Sequence, residues 1–249
     1  MESERVPVVE LGETTETGLL PAPHTPSGLD WQALWTCVGH RYEQRTITMR
    51  AEGESELRDE LIFCLISGHA VPYELARSAA SVVTALDPFH DHWSQPVLQR
   101  RLRYEFERPQ FEPRRRDGEL RRYRFPNRKA TLLASACAWV RDQGSVWKRL
   151  NALGCELERR KLLCDCPGVG MKTASFLLRN CGLADCLAVL DVHILRLMRV
   201  AGRLADVTLP RDYAQAEVQY LRWCRELEAS PAAFDLLLWE LGRGVLSTR

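Results

Sequence analysis

The sequence predicts a mainly α-helical fold, and two observations carry that reading. Apolar residues recur at three- and four-residue spacing through most of the chain from Leu29 onward. The two-residue alternation of a half-buried strand is nearly absent. No segment repeats at a fixed period, so a solenoid is excluded. Of the 249 residues 45% are hydrophobic, enough for one large or two small packed domains.

Residues 1–28 carry Pro21, Pro23 and Pro26 among Thr and Glu with little periodicity, and are expected to form a flexible arm. The stretch DWQALWTCVGHRYEQR then places Trp31, Leu34, Trp35 and Val38 on one helical face, opening a helical domain over 29–249. TITMRA, residues 46–51, is the one segment that reads as a strand. Helical spacing returns near 54–68, 73–86, 127–142, 145–162, 172–181, 192–202, 211–228 and 231–242.

No apolar run approaches the ~20 residues that span a bilayer. The acidic N-terminus (Glu2, Glu4, Glu10, Glu13) lacks the basic-then-apolar pattern of a secretory signal, so a cytoplasmic, intracellular chain is expected. Nine cysteines form an odd set scattered through apolar helical stretches such as LIFCLIS and LLASACAWV, and read as small buried hydrophobes in a reducing compartment. Neither Cys164 and Cys166 nor Cys181 and Cys186 have the repeated spacing of a zinc site, and His90 and His92 lack a third ligand, so no metal is expected.

Gln99 to Ala130 stands apart, with a basic insert at about 99–126. The stretch holds twelve Arg or Lys residues against five Asp or Glu, with Tyr104, Phe106, Phe111, Tyr123 and Phe125 interleaved. Basic density broken by aromatics suits a phosphate backbone together with groups that stack on bases or wedge between them. A solvated charged loop is the plainer alternative.

LLCDCPGVGMKTASFLL reads as helix, tight turn, helix, a hairpin over about 160–180. Pro167 stops the first helix, while Gly168 and Gly170 permit positive φ and close approach of another backbone. The turn exposes amides at the start of the next helix, which suit a phosphate oxygen or a monovalent cation bridging to one. Only four of the 34 basic residues are lysine, and one of them, Lys172, stands at this junction. Nineteen residues beyond it, LAVLDVHILRLMRVAG starts another amphipathic helix with Asp191 at its expected N-cap.

PGVG-x-K followed at this distance by LD-x-H-I-x-R resembles the helix–hairpin–helix DNA glycosylase superfamily. More closely, GVGMKTASFLLRN, LAVLDVHILR, YRFPNRKA and DELIFCLIS resemble segments of the archaeal-type 8-oxoguanine DNA glycosylase/AP lyase family in that family's order. The resemblance covers about 54–249 and implies a two-lobed helical fold with the active-site cleft between the lobes, the hairpin at its mouth and no obligatory metal cofactor. It implies Lys172 as nucleophile, Asp191 as the catalytic carboxylate, and the Gly168–Val169–Gly170 backbone on DNA phosphate. Arg124 would face the orphaned base while Phe125 wedges into the duplex, Phe125 as a core anchor being the alternative. Trp239 would stack on the extruded base, and His193 would serve as a structural hydrogen-bonding residue. His69 stands near the place where the family carries Gln or Asn, and Thr248–Arg249 where it tends to end in lysine. The excised base could therefore be another modified purine.

The chemistry suits the residues on its own terms. A neutral primary amine can attack the anomeric carbon of a flipped nucleotide, displace the base and leave a Schiff base open to β-elimination, whereas a guanidinium stays protonated. A carboxylate can stabilise the positive charge that develops on the sugar. The expected protein is a bifunctional glycosylase/lyase acting as a monomer on double-stranded DNA that contains a damaged base. Two alternatives stand beside it: a non-catalytic DNA-binding module, and a monofunctional glycosylase in which Asp191 activates water.

Overall fold

A computed structural model describes residues 29–47, 51–68, 71–204 and 207–246. The arm expected over 1–28, residues 48–50 of the expected strand, His69, Thr248 and Arg249 lie outside the described residues. Among those described, the helices are α1 (Trp31–Ile47), α2 (Glu54–Ile66), α3 (Tyr73–Thr84), α4 (Gln95–Glu107), α5 (Pro126–Gln143) and α6 (Val146–Ala152). They continue as α7 (Glu156–Cys164), α8 (Met171–Asn180), α9 (Val192–Val200), α10 (Tyr213–Glu226) and α11 (Pro231–Leu246). An isolated antiparallel bridge, Phe111 to Arg121, is the one extended pairing among the described residues.

The chain gathers into two compact units: α2 to α8 on residues 51–184, and α1 with α9 to α11 on the flanking stretches. In the first unit α2 is the central element. Every residue from Leu61 to Ile66 is buried, and the helix packs against α3, α5, α6 and α8. The C-terminal half of the helix is apolar on all sides and belongs inside. Each fully buried Leu, Ile or Phe contributes roughly 1.5–3 kcal/mol. Alanines 130, 134 and 136 are buried on α5, which packs against α4, where Leu98, Leu102 and Phe106 are buried in turn.

The second unit has an aromatic core. Trp223 meets Trp31 edge-on at 5.0 Å between ring centroids and Phe234 at 4.8 Å, while Trp35 meets Phe234 at 5.6 Å. Such edge-to-face pairs are worth about 0.5–1.5 kcal/mol each beyond the area they bury.

Two expectations need correction. Thr46 and Ile47 end α1 and do not start a strand; the Thr46 hydroxyl donates to the Glu43 carbonyl at 2.8 Å, which lets a β-branched residue sit in a last helical turn. The helix expected over 145–162 is two helices, α6 and α7. Leu153 is extended (φ −86, ψ 129), and the Arg159 guanidinium reaches back to the Leu150 carbonyl at 3.0 Å and the Leu153 carbonyl at 2.9 Å, satisfying the carbonyls the break leaves open. Residues 99–107 of the basic stretch lie on α4. Its loop, 109–122, is held by Phe111, packed with Phe106 and Tyr123 in a buried aromatic cluster with centroids 4.8–6.4 Å apart.

Candidate active site and nucleic-acid interface

In the 51–184 unit the hairpin forms as expected from its residues. After α7, the Cys166 amide donates to the Leu163 carbonyl and the Val169 amide to the Cys166 carbonyl, both at 3.0 Å. Gly168 has φ +84, a region L side chains rarely adopt. Of the two glycines, which both permit positive φ, only Gly168 adopts it. Gly170 is the extended N-cap of α8, φ −98 and ψ 179, with open space where a Cβ would be. The first turn of α8 has no side-chain cap and no acidic residue, so its leading amides present a partial positive charge outward. Lys172 stands in that turn and is exposed. Behind it, buried Arg160 on α7 donates to the Ser175 hydroxyl on α8 at 3.3 Å, tying the two arms together. Cys166 is no rival nucleophile, since burial pushes its thiol up to about 12.

The Arg124–Phe125 pair lies in the same unit, at the start of α5. Phe125 is 38% exposed, and the Arg124 guanidinium lies 5.2 Å from its ring centroid. Two further residues brace this pair. The buried Tyr123 hydroxyl donates to the Ile66 carbonyl at 2.6 Å, and Lys129 Nζ donates to the carbonyls of Leu65 and Ser67, the latter at 3.1 Å. Burial, helped by the neighbouring Arg128 charge, lowers the Lys129 ammonium to about 8. The signal that could have found Lys129 is the lysine scarcity that pointed to Lys172.

The other unit holds Asp191 and Trp239. Asp191 caps α9 as expected: its Oδ1 accepts the His193 amide at 2.8 Å and the Ile194 amide at 2.9 Å, leaving Oδ2 outside the cap. The buried run 188–190 that delivers it is held by α10. Glu217 accepts the Ala188 amide at 3.0 Å, while the Tyr213 hydroxyl donates to the Ala188 carbonyl at 2.7 Å and accepts from the Leu190 amide at 3.3 Å. Neither Tyr213 nor Glu217 carries a sequence signal. Trp239 is partly exposed on α11, and its neighbour Glu240 accepts the Tyr42 hydroxyl at 2.6 Å and the Arg45 guanidinium at 2.8 Å. His193 differs from expectation. Its buried Nδ1 has no hydrogen-bond partner among the described residues, and the ring packs under α11, where a Cβ on Gly242 would lie 2.6 Å from the His193 Cβ.

His90 and His92 approach each other at 2.7 Å between their Nδ1 atoms, and no group of three or more His, Cys, Asp or Glu suited to a metal occurs among the described residues. No helix among them is long and apolar enough to cross a membrane.

The family model for 8-oxoguanine DNA glycosylase matches residues 38–229, which includes the hairpin, Lys172, Asp191 and the Arg124–Phe125 pair. The chain belongs to the 8-oxoguanine DNA glycosylase family. An 8-oxoguanine DNA glycosylase/AP lyase of Metallosphaera sedula is 32% identical over 128 residues, covering 50% of this chain and 61% of that one. The protein of the same description from Thermotoga maritima is 31% identical over 129 residues, covering 49% and 58%. The chain thus spans about three-fifths of the length of these curated relatives. Among solved structures, the 8-oxoguanine DNA glycosylase of Thermotoga maritima superposes with a TM-score of 0.62 at 24% identity, covering 84% of this chain and 92% of the other. The Methanocaldococcus jannaschii 8-oxoguanine glycosylase/lyase, in complex with a 15mer DNA containing 8-oxoguanine, gives 0.64 at 20% identity, covering 86% and 95%. These likenesses place the family member in the helix–hairpin–helix glycosylase fold.

Proposed function

We propose that this family member is a bifunctional DNA glycosylase/AP lyase that acts as a monomer on double-stranded DNA and excises an oxidised or modified guanine, 8-oxoguanine foremost. The observation that carries the reading is the exposed Lys172 in the uncapped first turn of α8, immediately after the Gly168–Gly170 turn, in a chain that otherwise writes its cations almost wholly as arginine. The turn and the leading amides of α8 take a backbone phosphate, and Phe125 fills the gap left by the extruded nucleotide while Arg124 faces the orphaned base. A monovalent cation bridging from the turn to that phosphate would neutralise charge there.

The Lys172 amine attacks C1′ as the bond to the base breaks, the base leaving with the bonding electrons and taking up a proton. Asp191, whose Oδ2 is outside the cap, stabilises the positive charge that builds on the sugar. The amine then gives up a proton and its lone pair breaks the C1′–O4′ bond, O4′ taking up a proton, which opens the ring and leaves a Schiff base between Nζ and C1′. Removal of a proton from C2′ then expels the 3′ phosphate by β-elimination, and water releases the lysine. Trp239, partly exposed on α11, and His69 are assigned to the base pocket. Each of these steps uses only this chain's side chains and water.

Borohydride reduction converts the Schiff base to a stable amine and tests the reading directly. Wild type and Lys172→Gln are each incubated with labelled duplexes carrying 8-oxoguanine opposite cytosine, an abasic site, or no lesion. A covalent adduct on the 8-oxoguanine duplex that is lost in Lys172→Gln supports both mechanism and substrate. An adduct on the abasic duplex alone retains the amine and moves the search to other bases. No adduct on any duplex, with binding intact, overturns the lyase assignment in favour of a binding module or an Asp191-activated water.

A further inference from the structure

The end of α2 is finished by side chains from a distant stretch of sequence. An α-helix leaves its last carbonyls without intrahelical partners. Here the Phe63 carbonyl is closed locally by the Ser67 amide at 2.8 Å. The carbonyls of Leu65, Ile66 and Ser67 are instead taken by Lys129, Tyr123 and Lys129 again. These two donors bracket the wedge pair, one immediately before Arg124 and the other at the first α5 residue to bond back to Phe125, where the Lys129 amide meets the Phe125 carbonyl at 3.1 Å. Tyr123 is further fixed by its amide, which donates to the Phe106 carbonyl at 2.9 Å, and by its ring, 4.8 Å from that of Phe106.

The same end of α2 supports the hairpin. A Cβ on Gly168 would lie 3.4 Å from Leu65 Cδ2 and 2.9 Å from Leu132 Cδ2, so the hairpin turn rests on one residue from α2 and one from α5. Leu65 thus meets the turn with its side chain and the wedge segment with its carbonyl. We propose that Tyr123 and Lys129 are positioning residues for base extrusion, clamping the Arg124–Phe125 wedge to the α2 terminus so that it stands at a set height relative to the phosphate-gripping turn. The proposal rests on the glycosylase reading for its purpose and on the clamp geometry for its content. A wedge at the head of a helix whose first turn could rock would lose extrusion before it lost phosphate contacts, because the side chains of Tyr123 and Lys129 donate to the end of α2 and not to the turn or to Lys172.

The test separates wedge insertion from chemistry. Duplexes carry a tetrahydrofuran abasic analogue opposite 2-aminopurine, whose fluorescence rises when the orphaned base is unstacked, and the same proteins are assayed for cleavage of a true abasic duplex and for excision of 8-oxoguanine. Phe125→Ala is the reference for a missing wedge. Tyr123→Phe keeps the ring in its aromatic cluster and removes only the donor; Lys129→Met removes the two lysine bonds, and Lys129→Arg restores a donor. The expected result for Tyr123→Phe and Lys129→Met is a fluorescence amplitude at least halved and 8-oxoguanine excision slowed roughly tenfold, the order of one lost hydrogen bond, with affinity for the analogue and abasic cleavage each changed less than about twofold. Lys129→Arg should recover most of the amplitude. Amplitudes equal to wild type, or excision and abasic cleavage falling together, would overturn the clamp. A wild type that raises the fluorescence but forms no borohydride adduct would defeat the lyase reading and leave the clamp to be judged on its own amplitudes.

Discussion

Gly168 and Leu132 are set so close that a Cβ on the glycine would lie 2.9 Å from Leu132 Cδ2, and the glycine is also held at φ +84. The clash and the torsion are separable. Leucine's far end can move aside, while left-handed backbone costs an L residue roughly 1–2 kcal/mol whatever its neighbours do. Gly168→Ala should therefore destabilise the protein by at least that amount and weaken DNA binding. In a Leu132→Ala background the same change should still cost about 1 kcal/mol. Chemical denaturation of the four proteins in the cycle measures both terms, and full recovery in the double variant would show that the torsion carries none of the cost.

Asp191 is assigned two tasks that substitution can part. Asparagine is as good an N-cap as aspartate, so Asp191→Asn should keep thermal stability within about 0.5 kcal/mol of wild type while losing the charge. Single-turnover excision should fall by roughly 10²- to 10³-fold, the size seen when one preorganised stabilising group is removed. Asp191→Ala should lose about 1 kcal/mol of stability in addition. Unchanged excision in the asparagine variant would remove the carboxylate from the chemistry.

Lys129 predicts a pH dependence of stability. Its folded value of about 8 lies below the ordinary lysine value of about 10.4. Below about pH 8 the amine is protonated in folded and unfolded chains alike, so its burial penalty is constant there. Between about pH 8 and 10.4 the folded chain binds fewer protons than the unfolded one, and the stability owed to this group rises with pH. Paired melting curves should show wild type gaining on Lys129→Met across that window and running parallel to it below. A difference that shrinks as pH rises would reverse the assigned direction.

The loop 109–122 predicts a salt dependence. Arg115 and Arg116 are exposed at its tip, where the Arg115 amide donates to the Glu119 carbonyl at 2.8 Å and the Arg114 guanidinium to the Gly118 carbonyl at 2.8 Å, so the basic tip is presented on a formed turn. If each rests on a phosphate, Arg115→Ser and Arg116→Ser should each lower the slope of log affinity against log salt by about 0.9. An unchanged slope would place the tip outside the DNA footprint.

How far the chain could be read follows from which interactions are local. The spacing of apolar residues marked most of the helices, and PGVG, Lys172 and Asp191 were legible because a turn, a nucleophile and a cap each depend on a few adjacent residues. The break between α6 and α7 was not legible, because Arg159 stabilises it with a guanidinium whose reach depends on how α7 packs. Nor was the exposure of Phe125, since an aromatic after a basic residue has the same local pattern in a core and on a surface.

The sequence by itself determined the helical class, the hairpin and the residues able to carry the chemistry, because torsional preference, amphipathic period and the chemical identity of an amine or carboxylate are properties of short stretches. Only the tertiary structure decided that Tyr123 and Lys129 finish α2, that Tyr213 and Glu217 hold the run leading to Asp191, and that Gly168, not Gly170, is the glycine the turn requires. The physical reason is that a carbonyl at the end of a helix must find a donor but does not specify which one. Packing brings a tyrosine fifty-seven residues away in sequence within 2.6 Å, and no local pattern encodes that meeting.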